Sequence, residues 1–200
     1  RERKIPVKFA DQRRLDRLCD GAAHQGVAAF VAAHEYAEMD DIFALAESRN
    51  ESPFIVVCDS LEDPHNLGAI LRSAEAAGVH GVIIPKRNSV TLNYTVAKTS
   101  AGAIEYVPVV KVANLPAAID ELKSRGVWIF GADMDGTDYT ALDYSGSIAL
   151  VIGSEGKGIG RLVREKCDFI ASLPMRGKIN SLNASVAAGI LMFEAAKHRN

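Results

Sequence analysis

The chain has 200 residues, a formal net charge of −2, 24% charged residues and 48% hydrophobic residues. These values are typical of an ordinary soluble globular protein with one sizeable domain, alone or with a small accessory piece. They exclude a protein that coats nucleic acid indiscriminately, although a local basic face remains compatible with them. No apolar run approaches the length that a membrane span needs, so we expect no membrane partner.

The three cysteines, Cys19, Cys58 and Cys167, are isolated and odd in number. This pattern argues against a disulfide framework and against a zinc site, so we expect a cytosolic protein without a metal. The sequence opens at Arg1 rather than Met and reads like the middle of a domain, which suggests that the N-terminus is cut away. Residues 1–17 carry seven Lys/Arg against three Asp/Glu, which is a binding face or merely a solvated surface.

The predicted elements, in chain order, alternate between helix and strand. The first part is predicted to contain a helix over Asp11–Gly21, a strand over Val27–Val31 and an acidic helix over His34–Asn50. Continuous apolar runs and helical spacing then predict strand Pro53–Cys58, helix Leu67–Ala77, strand Gly81–Ile84, helix Tyr94–Ser100 and strand Val107–Val110. The last part is predicted as helix Asn114–Arg125, strands Val127–Phe130 and Ala149–Ile152, helix Gly160–Lys166, strand Phe169–Leu173 and helix Leu182–Lys197.

This alternation predicts an α/β fold with a mostly parallel sheet and helices on both faces. The last helix is apolar on most of its circumference and is predicted to pack inside the protein. A domain boundary is expected near residue 50, where the acidic helix gives way to the first buried strand. Ligands of such sheets bind beyond the carboxyl ends of the strands.

Three polar junctions fall at predicted strand ends and share one strand–loop–helix form. They are Asp63-Pro-His-Asn-Leu-Gly-Ala-Ile-Leu-Arg72, Leu150-Val-Ile-Gly-Ser-Glu-Gly-Lys-Gly158 and Leu173-Pro-Met-Arg-Gly-Lys-Ile-Asn-Ser-Leu-Asn-Ala-Ser-Val186. Such junctions present backbone N–H groups and short polar side chains to a ligand. The second junction has neither the spacing of a P-loop nor that of a dinucleotide fingerprint. A nicotinamide-dependent oxidoreductase is therefore disfavoured.

Taken together, the three junctions resemble the motifs of the SpoU/TrmH family of RNA ribose 2′-O-methyltransferases. Within that family the chain is most similar to the RlmB type, which methylates guanosine in 23S ribosomal RNA. The stretches His34-Glu-Tyr-Ala37 and Thr95-Val-Ala-Lys-Thr-Ser-Ala-Gly-Ala103 add to this resemblance. One departure is Ala184, which stands where the third motif often has valine.

The resemblance implies a deep trefoil knot in the C-terminal half, S-adenosylmethionine bound within it, and a homodimer. It also implies an N-terminal RNA-binding domain of the ribosomal-protein L30e type, of which this chain holds only a remnant. The implied organisation is the C-terminal part of that domain over 1–33, a linker helix over 34–51 and the knotted methyltransferase domain over 52–200. The implied partner is 23S ribosomal RNA.

The same resemblance assigns site residues. The implied catalytic residues are Asn66, Arg72, Glu155, Ser181 and Asn183. The implied cofactor-binding residues are Gly131, Ile152, Gly153, Leu173, Met175, Ser181 and Leu182. For Asn66, Ser181 and Asn183 a helix cap is the ordinary alternative, and both roles are compatible. Gly177 is expected to shape the same pocket.

Arg72 is expected to act by charge and position rather than as a base. The pKa of arginine is about 12.5–13.8, so abstraction of a proton would need a large depression of it. A guanidinium that grips a phosphate and stabilises a developing alkoxide needs none. Three alternatives remain open for the chain: a transfer-RNA ribose methyltransferase, an antibiotic-resistance ribose methyltransferase, and a non-catalytic RNA-binding assembly factor.

Overall fold

The computed structural model describes residues 7–19, 23–29 and 34–199, and the chain divides into two compact units between residues 33 and 34. The first unit contains helix α1 (Gln12–Leu18). Its N-cap is Asp11, whose carboxylate accepts a hydrogen bond from Arg14 N at 2.8 Å. Residues 27–29 of the predicted strand Val27–Val31 are not in a strand, and the rest of that prediction lies outside the described residues, as does Gly21.

The second unit is built around a six-stranded sheet in the order β3-β2-β1-β5-β4-β6. Every neighbouring pair of strands is parallel, which confirms the predicted parallel α/β architecture. The strands are β1 (Phe54–Cys58), β2 (Gly81–Pro85), β3 (Val109–Val112), β4 (Trp128–Asp138), β5 (Ile148–Ile152) and β6 (Phe169–Ser172).

Helices connect the strands and cover both faces of the sheet. They are α2 (Met39–Ser48), α3 (Pro64–Ala76), α4 (Tyr94–Thr99), α5 (Leu115–Ser124), α6 (Arg161–Arg164) and α7 (Ala184–Ala196), with short 3₁₀ turns at Ala103–Glu105 and Tyr139–Ala141. No helix in the described part of the chain has the length and hydropathy of a membrane span.

Strand β1 shows why the sheet is buried on both sides. Phe54, Val56 and Cys58 join the core formed with α3 and α7. Ile55 and Val57 point to the opposite face and join the core formed with α2 and α5. Successive side chains of a strand alternate between faces, so a strand that is apolar throughout needs helices on both sides.

Within the second unit, three elements differ most from the sequence-based expectation. Strand β4 runs to Asp138, eight residues beyond its predicted end, and pairs with β6 on both sides of a register shift. Helix α2 packs Met39, Ile42 and Ala46 into the core of the second unit, so it is not separated from the sheet near residue 50.

Helix α7 is only partly inside the protein, contrary to expectation. It buries Ala184, Ala188, Leu191, Met192 and Ala195, while the exposed fractions of Val186, Ile190 and Phe193 are 50%, 36% and 51%. The exposed residues follow the i, i+4, i+7 spacing of one helix face. A second apolar face of α7 is therefore left uncovered by the residues that the structure describes.

The topology brings the polar junctions together. The chain runs outward from β1 through β2 to β3, then crosses back to place β5 beside β1. The loops that follow β1 and β5 consequently leave two adjacent strands at a switch point in strand order. Open α/β sheets bind ligands at such points, beyond the carboxyl ends of the strands.

Candidate active site

A cavity of about 380 Å³ opens beside the carboxyl ends of β4, β5 and β6. Its walls come from three segments, namely the part of β4 just past its pairing with β5, the loop after β5 and the segment that leads from β6 into α7. They are Ala132, Asp133, Met134, Ile152, Gly153, Ser154, Glu155, Gly156, Lys157, Gly158, Ala171, Leu173, Met175, Asn180, Ser181, Leu182, Ala184 and Ala187. Apolar side chains and backbone amides dominate, as in pockets for small organic ligands.

The loop after β5 is a tight turn that only glycine permits at Gly153. Ser154 and Gly158 exchange two backbone hydrogen bonds, of 3.2 and 2.8 Å, so the loop folds back on itself. A Cβ atom at Gly153 would overlap the backbone of Gly158. Gly158 has a φ of +64°, in the left-handed region that favours glycine.

Asp59 anchors the far end of this loop to β1. It is buried, and its Oδ2 accepts a hydrogen bond from Gly160 N at 2.7 Å. Gly160 is the N-cap of α6, so the carboxylate satisfies a backbone donor that the helix leaves unpaired. The loop that carries Glu155 is thereby held against the end of β1, the strand that leads into α3 and Asn66.

Asn66, Glu155 and Asn183 form one hydrogen-bonded cluster at the rim of the cavity. Asn66 Nδ2 donates to Glu155 Oε1 at 3.1 Å, and Asn183 Nδ2 donates to Asn66 Oδ1 at 2.9 Å. Asn183 Nδ2 also lies against Glu155 Oε1, and Ala184 N donates to the same oxygen at 3.4 Å. One residue from each of the three sequence junctions is thus in direct contact.

The expected capping role is wrong for Asn66 and confirmed for Asn183. The N-cap of α3 is Asp63, with Pro64 as the first helical residue, so Asn66 lies inside the helix and is 6% exposed. Asn183 is the N-cap of α7, and its Oδ1 accepts from Ser185 N and Val186 N. Asn183 therefore caps a helix with one end of its amide and joins the cluster with the other.

Arg72 does not join this cluster. It lies on α3 six positions beyond Asn66, which places it about 120° around the helix and about 9 Å further along the axis. It is exposed and makes no hydrogen bond or ion pair within residues 7–19, 23–29 and 34–199. The single chain therefore separates Arg72 from the other four residues that the resemblance marked as catalytic.

Ser181 lines the cavity, together with five of the other expected cofactor residues: Ile152, Gly153, Leu173, Met175 and Leu182. Gly131 does not line it. A Cβ there would meet Cys167 Sγ at 2.8 Å and Ile159 Cδ1 at 3.1 Å, which lie on the opposite face of the sheet. The next residues of β4, Ala132 and Asp133, contribute to the cavity instead.

Sequence reasoning missed Ala132, Asp133 and Met134 because the predicted strand ended at Phe130. The acidic stretch Asp133-Met-Asp135 reads as a loop, since aspartate is depleted in strands. A signal was available in the two-residue spacing of Phe130 and Ala132, which both face the core that contains α7. Extending the predicted strand by two residues, from Phe130 to Ala132, would have included the first residue of β4 that lines the cavity.

The thiols near the site are poor nucleophiles. Burial, with a smaller contribution from Asp59, raises the pKa of Cys58 to about 12. Burial, with Asp168 as a smaller cause, raises the pKa of Cys167 to about 11. No group of three or more His, Cys, Asp or Glu side chains with metal-binding geometry occurs among the residues that the structure describes. Neither thiol is therefore activated for nucleophilic attack.

Comparison with protein family profiles assigns the sequence to a known group. The profile of the SpoU rRNA methylase family matches residues 53–193. A second profile, RNA 2′-O ribose methyltransferase substrate binding, matches residues 1–37. The chain belongs to the SpoU/TrmH family of RNA methyltransferases.

Curated relatives agree with that membership. YacO of Bacillus subtilis, whose description places it in the TrmH family of tRNA/rRNA methyltransferases, is 54% identical over 197 residues. The match covers 98% of this chain and 79% of YacO. A protein of Staphylococcus aureus described in the same way is 51% identical over 201 residues, which is 81% of its length.

Solved structures of the family share the fold of the second unit. The SpoU methyltransferase AviRb of Streptomyces viridochromogenes, in complex with the cofactor AdoMet (S-adenosylmethionine), is 31% identical with a TM-score of 0.69. An AdoMet-bound rRNA methyltransferase of Sinorhizobium meliloti is 30% identical with a TM-score of 0.70. Each match covers 74% of this chain, but only 58% and 57% of those chains respectively.

Proposed function

We propose that this member of the SpoU/TrmH family transfers a methyl group from S-adenosylmethionine to a ribose 2′-hydroxyl of 23S ribosomal RNA, at a guanosine. The observation that carries the proposal is the contact of Asn66, Glu155 and Asn183 at the rim of a cavity whose wall is a glycine-shaped loop. Three segments that are distant in sequence converge there, and each contributes a polar group to one point.

The size and the lining of the cavity suit the cofactor, and neither depends on a comparison with relatives. Its volume of about 380 Å³ lies in the range of small-molecule pockets, about 300–1,000 Å³. The close approach of Gly153 and Gly158 leaves backbone amides, rather than side chains, at the wall. Ile152, Leu173 and Leu182 supply apolar surface that suits a purine ring. When bound, the cofactor supplies an electrophilic sulfonium methyl group.

The residues of this chain bind and orient the ribose. Residues that line the cavity, Gly153 and Leu182 among them, would hold the cofactor that supplies the methyl group. The 2′-hydroxyl would give up its proton to water by way of the carboxylate that it contacts. Glu155 Oε1 is occupied by the two asparagine amides, which leaves Oε2 free to accept from the ribose hydroxyl. Held in this way, the hydroxyl points its lone pair toward the cavity. Orientation of this kind lowers the barrier without a net change of protonation in the cluster.

Arg72 is proposed to grip the phosphate next to the reacting ribose and to stabilise the developing alkoxide. The guanidinium is exposed and unpaired within the described residues, so its donors are available to an RNA phosphate. The distance of Arg72 from Asn66 along α3 suits a contact with the neighbouring phosphate, from which the positive charge acts on the alkoxide through space. This assignment keeps the electrostatic role expected from the sequence.

A homodimer is part of the proposal, and the exposed face of α7 supports it. Val186, Ile190 and Phe193 form a contiguous apolar stripe on the helix that Asn183 caps. Exposed apolar stripes of this kind mark interaction surfaces. A dimer through α7 would therefore build on the element that begins at the active site.

The trefoil knot and the L30e-type remnant in residues 1–33 are proposed on the family resemblance.

The proposal is tested by methylating RNA in vitro. The purified chain is incubated with S-adenosylmethionine that carries a labelled methyl group, together with one RNA at a time. The RNA is 23S ribosomal RNA in one reaction and bulk transfer RNA in the other. A 2′-O-methylated ribose blocks alkaline cleavage of the next phosphodiester bond, so label in an alkali-resistant dinucleotide identifies the product. Label in 23S RNA with a guanosine at that position supports the proposal.

Two outcomes would contradict it. Label confined to transfer RNA would replace the ribosomal target with the transfer-RNA alternative. Tight binding of 23S RNA with no transfer of label, while the cofactor binds, would favour a non-catalytic RNA-binding factor. Asn66→Ala serves as the matched control for adventitious labelling, because it removes the buried member of the cluster.

A further inference from the structure

Helix α4 and the loop before it carry positive charge that the proposed reaction does not use. Residues 76–104 contain Lys86, Arg87 and Lys98 but no aspartate or glutamate, although the whole chain has a net charge of −2. The three side chains are exposed, and none of them forms an ion pair or a hydrogen bond in the described part of the chain. Cations without an acidic partner attract a phosphodiester backbone.

Two hydrogen bonds tie the loop before α4 to the edge of the sheet where the active site lies. This loop leaves the carboxyl end of β2, and its Val90 N donates to Leu61 O, just beyond the end of β1, at 2.9 Å. Leu92 N donates to Tyr36 Oη at 3.0 Å. The start of α4 is therefore fixed beside the loop that leads from β1 into α3.

The end of α4 packs against the side of α3 that carries Arg72. A Cβ atom at Gly68 would overlap the side chain of Thr99, so the two helices are in close contact at that point. Arg72 follows Gly68 by four residues, which places it on the same side of α3 and one turn further along. Lys98 directly precedes Thr99 on α4. The end of α4 that carries Lys98 therefore packs one helical turn from Arg72.

An exposed aromatic ring, Tyr94, lies on the same face of α4 as Lys98. The two residues are four positions apart, a spacing that brings their Cβ atoms to about 5–6 Å from each other. The exposed fraction of Tyr94 is 67%, whereas Val96 and Ser100 are buried beneath the helix. Proteins hold single-stranded RNA with such pairs, because unpaired bases stack on the ring while cations contact the phosphates. The bases of a duplex already stack on one another and leave no free face for the ring.

We propose that the face of α4 formed by Tyr94 and Lys98 is a platform for single-stranded RNA beside the reacting nucleotide. Tyr94 stacks on an unpaired base, Lys98 contacts a phosphate, and Arg72 continues the line of cations along α3. The inference rests on the proposed function, because it takes RNA as the ligand of this face. It deepens that function by assigning the target ribose to an unpaired segment rather than to a duplex.

Binding of one RNA in two forms tests the platform. A fluorescein-labelled RNA strand of about 12 nucleotides is titrated with the purified chain, alone and after annealing to its complement, and fluorescence anisotropy gives both affinities. We expect the unaltered chain to prefer the single strand. Tyr94→Leu should weaken binding of the single strand about 5- to 150-fold, the effect of losing one stacked base, and should leave the duplex affinity nearly unchanged. Tyr94→Trp keeps a stacking ring and should retain the preference.

Lys98→Gln and two control variants separate the platform from general effects of charge and exposure. Lys98→Gln should weaken the single strand and reduce the slope of log affinity against log salt concentration by about 0.7, the effect of one lost phosphate contact. Trp128→Leu removes a ring that is 55% exposed at the start of β4, on the opposite edge of the sheet. Lys197→Gln removes an exposed cation at the C-cap of α7. Both controls should leave both RNA affinities unchanged.

Three results would overturn the inference. One is an equal affinity of the unaltered chain for the single strand and the duplex, which requires no variant to fold. Another is a Tyr94→Leu variant that binds the single strand as tightly as the unaltered chain does. The third is an equal loss for both RNA forms in Tyr94→Leu. Failure of the proposed function is seen separately, because a chain that transfers no methyl group but still shows the selective loss in Tyr94→Leu retains the platform.

Discussion

Asn183 Nδ2 donates a hydrogen bond to Asn66 Oδ1 at 2.9 Å, although 117 residues separate the two asparagines in sequence. Asn66 is nearly buried inside α3, whereas Asn183 caps α7. The contact therefore ties the helix that follows the first strand to the helix that ends the chain. Glu155 accepts from both amides, so the three residues behave as one unit.

Asn183→Ser distinguishes the two roles of Asn183, which are to cap α7 and to donate hydrogen bonds to Asn66 and Glu155. Serine retains an oxygen that can accept from the first turn of α7, so we expect stability within about 1 kcal/mol of the unaltered chain. It has no amide to donate to Asn66 and Glu155. Methyl transfer to RNA should fall at least about ten-fold, measured with labelled S-adenosylmethionine, while the urea midpoint barely moves. Unchanged transfer would show that the amide contact is dispensable.

Gly153→Ala and Gly156→Ala form a matched pair in the loop after β5. A Cβ at position 153 would overlap the backbone of Gly158, whereas a Cβ at position 156 would meet no atom within 4 Å. We expect the first variant to lose cofactor binding and the second to keep it. Isothermal titration with S-adenosylmethionine measures both. Equal affinities would mean that the folded-back loop does not shape the binding cavity.

Arg72→Ala should reduce methyl transfer without loss of stability. The side chain is exposed and unpaired in the described part of the chain, so truncation should change the unfolding free energy by no more than about 0.5 kcal/mol. Arg72→Lys keeps the charge but not the planar fork of donors, and should restore little activity. Glu75→Ala, another exposed change on α3, is the control. Near-full activity of Arg72→Lys would contradict a bidentate role.

Phe193→Glu tests the dimer. A charge at the C-terminal end of the Val186, Ile190 and Phe193 stripe would be desolvated by a partner helix, so the variant should sediment as a monomer at concentrations where the unaltered chain is a dimer. Leu162→Glu places the same charge at an exposed position of α6, and should remain dimeric. A dimeric Phe193→Glu would move the interface away from α7.

His80 predicts how stability depends on pH. Its ring is fully buried, Nδ1 accepts from Phe54 N at 3.0 Å, and Nε2 lies 3.0 Å from Glu51. Burial lowers the pKa of His80, Glu51 opposes that shift, and Arg199 and Arg49 add to it. Because the folded pKa lies below the unfolded value near 6.5, the stabilisation is complete above about pH 6.5. It is lost as the pH falls through the lowered folded pKa.

His80→Asn keeps an acceptor for Phe54 N but cannot take up a proton. The free energy of unfolding is measured in urea between pH 7 and pH 5. It should fall more steeply with decreasing pH in the unaltered chain than in this variant, and the two slopes should differ by up to about 1.4 kcal/mol per pH unit. Parallel slopes would exclude His80 as the titrating group. The measurement is independent of the active site, since His80 lies before the amino end of β2.

The sequence predicted the sheet well because its central strands are apolar on both faces. Pro53–Cys58 and Ala149–Ile152 are runs of that kind, and both became central strands. The end of β4 escaped prediction because Asp133 and Asp135 oppose strand propensity, and the pairing of Thr137 and Asp138 with β6 lies beyond a register shift. Pairing partners of this kind are long-range and leave no local pattern.

The resemblance marked the residues that meet at the rim of the cavity, but it did not predict how they are grouped. The resemblance marked Asn66, Glu155 and Asn183 together with Arg72, yet motif membership says nothing about which side chains touch. Helical geometry on α3 separates Arg72 from Asn66 by about a third of a turn of arc. Strand alternation likewise turned Gly131 away from the cavity, since neighbouring residues of a strand face opposite sides.

The central claim is that the cavity beside the carboxyl ends of β4, β5 and β6 binds S-adenosylmethionine. Isothermal titration of the purified chain with S-adenosylmethionine, and separately with NAD, tests it most directly. We predict saturable binding of S-adenosylmethionine at one site per chain and no binding of NAD. Binding of NAD alone, or of neither compound, would contradict the account.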